Sequence, residues 1–160
     1  MVAGIHYLHS LGLAGLVLLL LAVSGCTDLS SHPVPAAQPS VAGTSGPVEK
    51  VEVYHFHGDK QCTSCIAVGD LAEKTMNADF KDELASGRLV FAHINAQQPE
   101  NAELAAKYGV TGSSLWIGVY DTNGFHKEEN VKVWYLINNK EAYSLYLTDL
   151  VKKRLNGDLS

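Results

Sequence analysis

The apolar positions along residues 49–160 recur with two different spacings, and these spacings predict strands and helices. Four runs rich in β-branched and aromatic residues predict strands, at residues 51–57, 89–95, 114–120 and 131–137. Three longer stretches, with apolar residues three or four positions apart, predict helices. They cover residues 62 to about 86, 99–108 and 140–155, and Asn139 is in position to cap the last of them.

The order of these elements, βαβαββα, predicts an α/β fold with one four-stranded mixed sheet and helices on both faces. Residues 89–95 are apolar on both faces, which is typical of a central parallel strand. The Asn123-Gly124 dipeptide predicts a hairpin turn between the last two strands. Trp116 and Trp134 each fall within a predicted strand and are expected in the core.

The chain begins with a different pattern. Residues 11–23 form an apolar run that is too short to span a bilayer comfortably. It ends in Val23-Ser24-Gly25-Cys26, which resembles the lipobox of prokaryotic lipoproteins. This resemblance implies a signal peptide over residues 1–25 and a lipid anchor on Cys26, with the protein at the cell membrane on its extracytoplasmic side. The residues before the run contain no Lys or Arg, so an uncleaved N-terminal anchor is the alternative.

The next segment, residues 26–48, contains four of the five prolines of the chain among Ser, Ala and Gly, and it predicts a flexible tether. Residues 49–160 are enough for one compact, monomeric domain with a single core. The net charge is −5, and every Asp, Glu, Lys and Arg lies after Cys26. This charge argues against nucleic acid as a partner.

The candidate chemistry lies in Cys62-Thr63-Ser64-Cys65, which follows the first predicted strand and opens the first predicted helix. A helix N-terminus stabilises a thiolate and lowers the pKa of a cysteine placed there. Cys62 is therefore predicted to be the exposed nucleophile, and Cys65, one turn further on, the resolving thiol. In an exported protein, this pair predicts a redox-active disulfide that needs no other cofactor.

The C-x-x-C pair and the element order together resemble the thioredoxin fold. Ile94-Asn95, Pro99-Glu100-Asn101 and residues 105–112 (Ala-Ala-Lys-Tyr-Gly-Val-Thr-Gly) are similar to the thioredoxin segment that joins the second and third strands. A closer likeness is carried by Tyr54-x-Phe56-His57-Gly58 and Gly112-Ser113-Ser114-Leu115. These motifs resemble the nitrophenyl compound nitroreductase subunit ArsF family, which implies an accessory subunit of a larger reductase.

The chain departs from thioredoxins at two positions that matter for mechanism. Ser114 stands where thioredoxins keep a cis-proline beside the cysteines, which leaves protein-disulfide activity in doubt and metal binding open. The resemblance implies that Ser113 and Ser114 offer backbone N–H groups to a substrate. The buried acid of the thioredoxin first strand is also missing, and His55 or His57 is predicted to take over its proton-transfer role. By contrast, His93 and His126 are expected to be ordinary strand and turn residues.

The same residues allow a metal site. His55 and His57 precede the cysteines in an H-x-H-x₄-C-x₂-C arrangement, and strand alternation puts both histidines on one face. Thiolate and imidazole ligands suit Zn²⁺, Cu(I) or As(III), with Cys62, Cys65 and His57 as the first candidates.

Three functions follow from these patterns. The first is a membrane-tethered thiol–disulfide oxidoreductase that acts on a redox partner protein or on a small thiol or metalloid substrate. The second is a module that binds a soft metal or metalloid, and the third is the accessory subunit.

Overall fold

The structure, a computed structural model, describes residues 46–160. The predicted signal peptide and Cys26 lie outside the described residues, as does the predicted tether up to residue 45. The strands are β1 (Val48–His57), β2 (Leu89–Asn95), β3 (Ser114–Asp121) and β4 (Gly124–Glu129). The α-helices are α1 (Thr63–Asp79), α2 (Lys81–Ser86), α3 (Ala102–Tyr108) and α4 (Lys140–Leu155). Two 3₁₀ turns, Pro99–Asn101 and Lys132–Tyr135, complete the described elements.

The four strands form one mixed sheet in the order β2-β1-β3-β4. β1 runs parallel to β2 and antiparallel to β3, and β4 returns antiparallel to β3. This order, with one parallel pair and one hairpin, is the thioredoxin-like α/β topology that the sequence predicts, and the predicted fold class is confirmed.

Side chains of β1 alternate between two apolar cores, one on each face of the sheet. Val51 and Val53 belong to the larger core, with residues of α1 and α4. Tyr54 and Phe56 belong to the smaller core, which Tyr108 of α3 also joins. Since β1 supplies residues to both cores, burial of its two faces fixes its register against the helices. The predicted helices on both faces are therefore present.

β2 is an edge strand of the described sheet, so its prediction as a central strand is wrong. Phe91 packs on the larger core, whereas Val90, Ala92 and Ile94 pack on the smaller one. Helices cover both faces of β2, and this coverage makes its sequence apolar on both sides. The apolar residues of a strand therefore indicate that both of its faces are covered, but they do not show whether the strand has one neighbouring strand or two.

The fourth strand was predicted in the wrong place. Residues 131–137 contain the 3₁₀ turn Lys132–Tyr135, and Trp134 lies in that turn and not in a strand. β4 is the charged segment Gly124–Glu129, which has little of the apolar pattern that marks a strand. The hairpin turn brings this segment back alongside β3. Asp121 pairs with Gly124, and the Asp121 carboxylate accepts a hydrogen bond from the Asn123 N–H at 2.7 Å.

The helices follow their predictions more closely. The predicted first helix is divided at Phe80, a buried residue with φ −132° and ψ 36°, which lies outside helical backbone geometry. The predicted second helix starts with the 3₁₀ turn at Pro99. The last helix has its predicted bounds, and the Asn139 side chain accepts the expected cap hydrogen bond from the Ala142 N–H at 3.0 Å.

A buried carboxylate joins α3 to the sheet. Glu52 accepts hydrogen bonds from the hydroxyls of Tyr108 at 2.8 Å and Tyr120 at 3.0 Å, and it pairs with Lys50 at 2.7 Å. Burial alone raises the pKa of Glu52, but the three donors outweigh this effect and hold the pKa below its usual value. The carboxylate is therefore charged and fully paired, which stabilises the packing of α3 on β1.

We expect Tyr108→Phe to lower the free energy of unfolding by about 2 kcal/mol, because it removes a buried hydrogen bond to a charged group. Tyr135→Phe is the matched control, since the Tyr135 side chain is 82% exposed and its change should be within about 0.5 kcal/mol. Urea unfolding of both variants measures the difference. Equal stabilities would contradict a structural role for the Glu52 cluster.

Candidate active site

The two cysteines of the C-x-x-C pair form a disulfide at the start of α1, with their Cα atoms 5.1 Å apart. Cys62 is the N-cap of the helix, and its Sγ accepts a hydrogen bond from the Cys65 N–H at 3.1 Å. Cys62 is exposed, whereas Cys65 is half-buried. One sulfur is thus open to solvent and held by a helix-start N–H group, which is the geometry that the predicted roles of the two residues require.

Polar side chains hold the loop before Cys62 in place. The Asp59 carboxylate accepts hydrogen bonds from the side-chain amides of Asn95 at 2.7 Å and Gln98 at 3.2 Å. The Asp59 N–H donates to the Gln97 side chain at 2.7 Å. The loop that follows β2 therefore fixes the segment that carries the cysteines, at the edge where the parallel strands β1 and β2 end.

Three histidines lie together beside the start of α1. His55 and His57 are on the same side of β1, as predicted, with ring centroids 5.5 Å apart. Nδ1 of His55 also lies 3.0 Å from Nδ1 of His93 on β2, at hydrogen-bond distance. His93 was expected to be an ordinary strand residue, and the structure instead makes it part of the candidate site.

A signal for the His55–His93 contact was present in the sequence. His55 is the fifth residue of the predicted first strand and His93 the fifth residue of the predicted second strand. The parallel register pairs Val51 with Leu89 and therefore His55 with His93. An in-register alignment of the two predicted strands would have placed the two histidines side by side, but the register itself is established only by the structure.

Gly69 allows α1 to approach these rings. A Cβ atom at this position would lie 2.3 Å from Nδ1 of His55 and 2.8 Å from Cε1 of His93, distances that real Cβ contacts do not reach. Glycine within a helix costs about 1 kcal/mol relative to alanine. The close approach of the histidine pair accounts for its presence here.

His55 is held neutral. The side chain is only 1% exposed, and burial lowers its pKa to about 4, assisted by the neighbouring His93 and His57 and opposed by Asp70 and the Cys65 backbone. Its Nε2 is buried and has no hydrogen-bond partner within residues 46–160. Buried polar atoms without partners are uncommon and often mark functional sites.

Ser114 and Ser113 lie at the same edge of the sheet. Ser114 is buried at the start of β3 and pairs with Phe56, so it lies beside the end of β1. Its hydroxyl donates to the Gly112 carbonyl and accepts from Nε1 of Trp116, both at 3.0 Å. Ser113 is half-buried and immediately precedes β3.

A cleft of about 240 Å³ opens beside His57, whose Nδ1 lies 2.9 Å from the Gly58 carbonyl. The other lining residues come from the segments after β2 and before β3: Ala96, Gln97, Val110, Thr111 and Gly112. These residues were not predicted as site residues, because nothing in their sequence marks chemistry. They become neighbours only when the loops meet at the sheet edge.

No group of three or more His, Cys, Asp or Glu side chains is arranged to hold a metal ion within the described residues. The metal site of Cys62, Cys65 and His57 therefore stays a prediction. Among residues 46–160, no helix is both long enough and apolar enough to cross a membrane.

The similar structures named below are distant from this chain in sequence. No protein-family model and no curated protein matches the chain. One similar structure is a thioredoxin from Thermus thermophilus, with 18% identity over 68% of this chain and 76% of that one, at a TM-score of 0.38. Another holds the first two thioredoxin domains of Eps1p from Saccharomyces cerevisiae, with 17% identity over 69% of this chain and 39% of that one, at a TM-score of 0.42. Likenesses this weak add nothing to the fold, which stands on strand order and direction, and the ArsF resemblance stays a prediction.

The buried His55 should make stability depend on pH. Its pKa is about 4 in the folded protein, because of burial, against 6.5 as the ordinary value, so the unfolded chain binds more protons between these two values. The free energy of unfolding should therefore fall on going from about pH 7 to about pH 4.5, with about 2 kcal/mol of the loss due to His55.

His55→Asn removes the titrating ring. Urea unfolding of the oxidised variant at the same two pH values should show a loss that is smaller by about 2 kcal/mol than in the wild type. Each protein is compared with itself, so a lower stability of the variant at neutral pH does not affect the result. A loss as large as in the wild type would contradict the burial of a neutral His55.

Proposed function

We propose that this protein is a thiol–disulfide oxidoreductase that uses the Cys62–Cys65 disulfide as its redox group. The observation that carries the proposal is the disulfide at the N-cap of α1, with Cys62 exposed and Cys65 one turn behind it. This disulfide joins residues only three positions apart and closes a single helical turn, with Cys62 exposed. A disulfide so placed is accessible to exchange.

The exchange proceeds in two steps that balance. The Cys62 thiolate of the reduced protein attacks a disulfide of the substrate, which forms a mixed disulfide and releases one substrate thiolate. Cys65, as a thiolate, then attacks Sγ of Cys62, which restores the Cys62–Cys65 disulfide and releases the second substrate thiolate. Two electrons pass from the dithiol to the substrate. The reverse sequence oxidises a substrate dithiol.

The N-terminus of α1 favours the reactive form of Cys62. Free N–H groups of the first helical turn and the positive end of the helix dipole stabilise negative charge at the N-cap. The Cys65 N–H already donates to Sγ of Cys62 in the oxidised protein. A hydrogen bond of this kind is stronger to a thiolate than to a neutral sulfur.

We further propose that Cys26 is lipidated and that residues 26–48 tether the domain to the extracytoplasmic side of the cell membrane. The lipobox-like sequence Val23-Ser24-Gly25-Cys26 and the Pro-rich segment after it support this proposal. The partner would be a redox protein or a small thiol or metalloid compound. No nucleic acid is needed.

Alkylation of the reduced protein near neutral pH should modify Cys62 at least tenfold faster than Cys65, because Cys62 is exposed and caps the helix. Mass spectrometry of peptides after brief treatment with iodoacetamide measures the ratio. As a control, Cys65→Ser should accumulate a stable mixed disulfide with a small aromatic disulfide, whereas Cys62→Ser should not. Faster labelling of Cys65 would reverse the assigned roles.

Cys26→Ala should release the protein from membranes or block removal of the signal peptide, since the lipidated cysteine is the proposed anchor. Membrane fractionation and intact-mass measurement of the wild type and the variant test this expectation. A variant of unchanged mature mass that stays in the membrane fraction would rule out the lipid anchor and leave the oxidoreductase proposal intact.

A further inference from the structure

We propose that His55 and His93 form a proton relay that takes the thiol proton of Cys65 to Glu73 at the protein surface during disulfide exchange. The inference deepens the proposed function and rests on it. His93, which was expected to be an ordinary strand residue, has a role in this relay.

The relay consists of three side chains whose exposure increases outward. Nδ1 of His55 lies 3.0 Å from Nδ1 of His93, and Nε2 of His93 lies 3.6 Å from Oε2 of Glu73 on α1. His55 is 1% exposed, whereas the side chains of His93 and Glu73 are 35% and 50% exposed. The chain of contacts therefore runs from a fully buried nitrogen to a carboxylate in contact with water.

The inner end of the relay has a free nitrogen. Nε2 of His55 is buried without a hydrogen-bond partner in the described part of the chain, and the Cys65 backbone, in the first turn of α1, acts on this ring by raising its pKa. An unsatisfied buried polar atom lowers the stability of the fold. In the relay, Nε2 of His55 is the nitrogen that accepts a proton from a group in the first turn of α1. Cys65 is the group there that loses a proton during disulfide exchange.

The packing around the pair is specific to it. Gly69 leaves space for both rings, since a Cβ atom would collide with His55 and His93 together. On β3, the residue paired with His55 is the apolar Leu115. The titratable groups that face the pair are His57 from β1 and Asp70 and Glu73 from α1, and the Cys65 backbone also acts on His55.

The relay moves one proton from Cys65 to Glu73 or to solvent, and neither imidazole ring becomes charged. At the start, the shared proton is on Nδ1 of His55, and Nε2 of His93 carries the second ring proton. When Nε2 of His55 accepts the Cys65 proton, Nδ1 of His55 passes its proton to Nδ1 of His93, and Nε2 of His93 releases one to Glu73 or to solvent. The S–H bond breaks, the Cys65 thiolate attacks Sγ of Cys62, and the substrate leaves as a thiolate. Both rings end neutral, in the opposite tautomers.

The test isolates the step in which Cys65 acts. Reduced protein is mixed with 2,2′-dithiodipyridine at about pH 4, where the first pyridine-2-thione is released and the mixed disulfide on Cys62 accumulates. A jump to between about pH 5 and about pH 8 then starts the attack by Cys65, which releases the second pyridine-2-thione. Stopped-flow absorbance gives the rate constant of the second release at each pH.

His93→Gln should slow the second release at least tenfold and flatten its pH profile, because glutamine can hydrogen-bond to His55 but cannot exchange a ring proton. The first release should not change. Added imidazole should restore part of the lost rate in His93→Gln, which a purely structural role of His93 would not allow. Gly69→Ala should give the same defect, because it displaces both rings and retains both histidines.

The matched control is His126→Gln. The His126 side chain is 38% exposed and its Nε2 lies 3.2 Å from the Asp121 carboxylate, so it resembles His93 in exposure and pairing, but it lies on β4 away from the cysteines. His126→Gln should keep the wild-type rate. A wild-type rate and pH profile in His93→Gln would overturn the relay. If the wild type itself never releases the second pyridine-2-thione, the proposed oxidoreductase function fails instead, so the two failures are distinguishable.

Discussion

Backbone hydrogen bonds from β1 to β2 on one side and to β3 on the other set the positions of all the site residues relative to each other. The parallel register with β2 places His55 beside His93, and the antiparallel register with β3 brings Ser114 beside Phe56 at the end of β1. A shift of one residue would turn Val51 and Val53 out of the larger core and bring Glu52 into it. Burial of both faces of β1 therefore holds the candidate site in register.

The two faces of β1 each bury a polar group, and they satisfy it to different degrees. Glu52 has three donors and is fully paired, so it contributes to the stability of the α3 face. His55 is paired through Nδ1 alone, and its Nε2 has no partner in the described chain. Incomplete satisfaction of a buried group lowers stability, and such groups often mark functional or strained sites. The face of the smaller core thus buries a fully paired polar group, while the face of the larger core buries one that is only partly paired.

Close packing of α1 on the sheet connects the cysteines to these histidines. Glycine at position 69 destabilises the helix relative to alanine, but it leaves space for the two rings beneath α1. Next to it, the Val68 carbonyl accepts a hydrogen bond at 2.7 Å from the hydroxyl of Tyr143 on α4. At the start of the same helix, Asp59 and the loop after β2 fix the segment that leads into Cys62. The disulfide is therefore held by contacts at both ends of one helical segment.

The sequence by itself determined the features that depend on neighbouring residues. The bounds of β2 and α4, the Asn139 cap and the cysteines at a strand-to-helix junction follow from periodicity and capping, which act within a few positions. The tertiary structure decided what depends on contacts between distant segments: β2 at the edge, β4 formed from charged residues by its turn, the break at Phe80, and His93 beside His55. Local patterns predict where a strand lies but not which strands it pairs with, because the pairing energy comes from backbone hydrogen bonds and from packing across the sheet. The cysteines could thus be located from the sequence, whereas their histidine pair became evident only with the register.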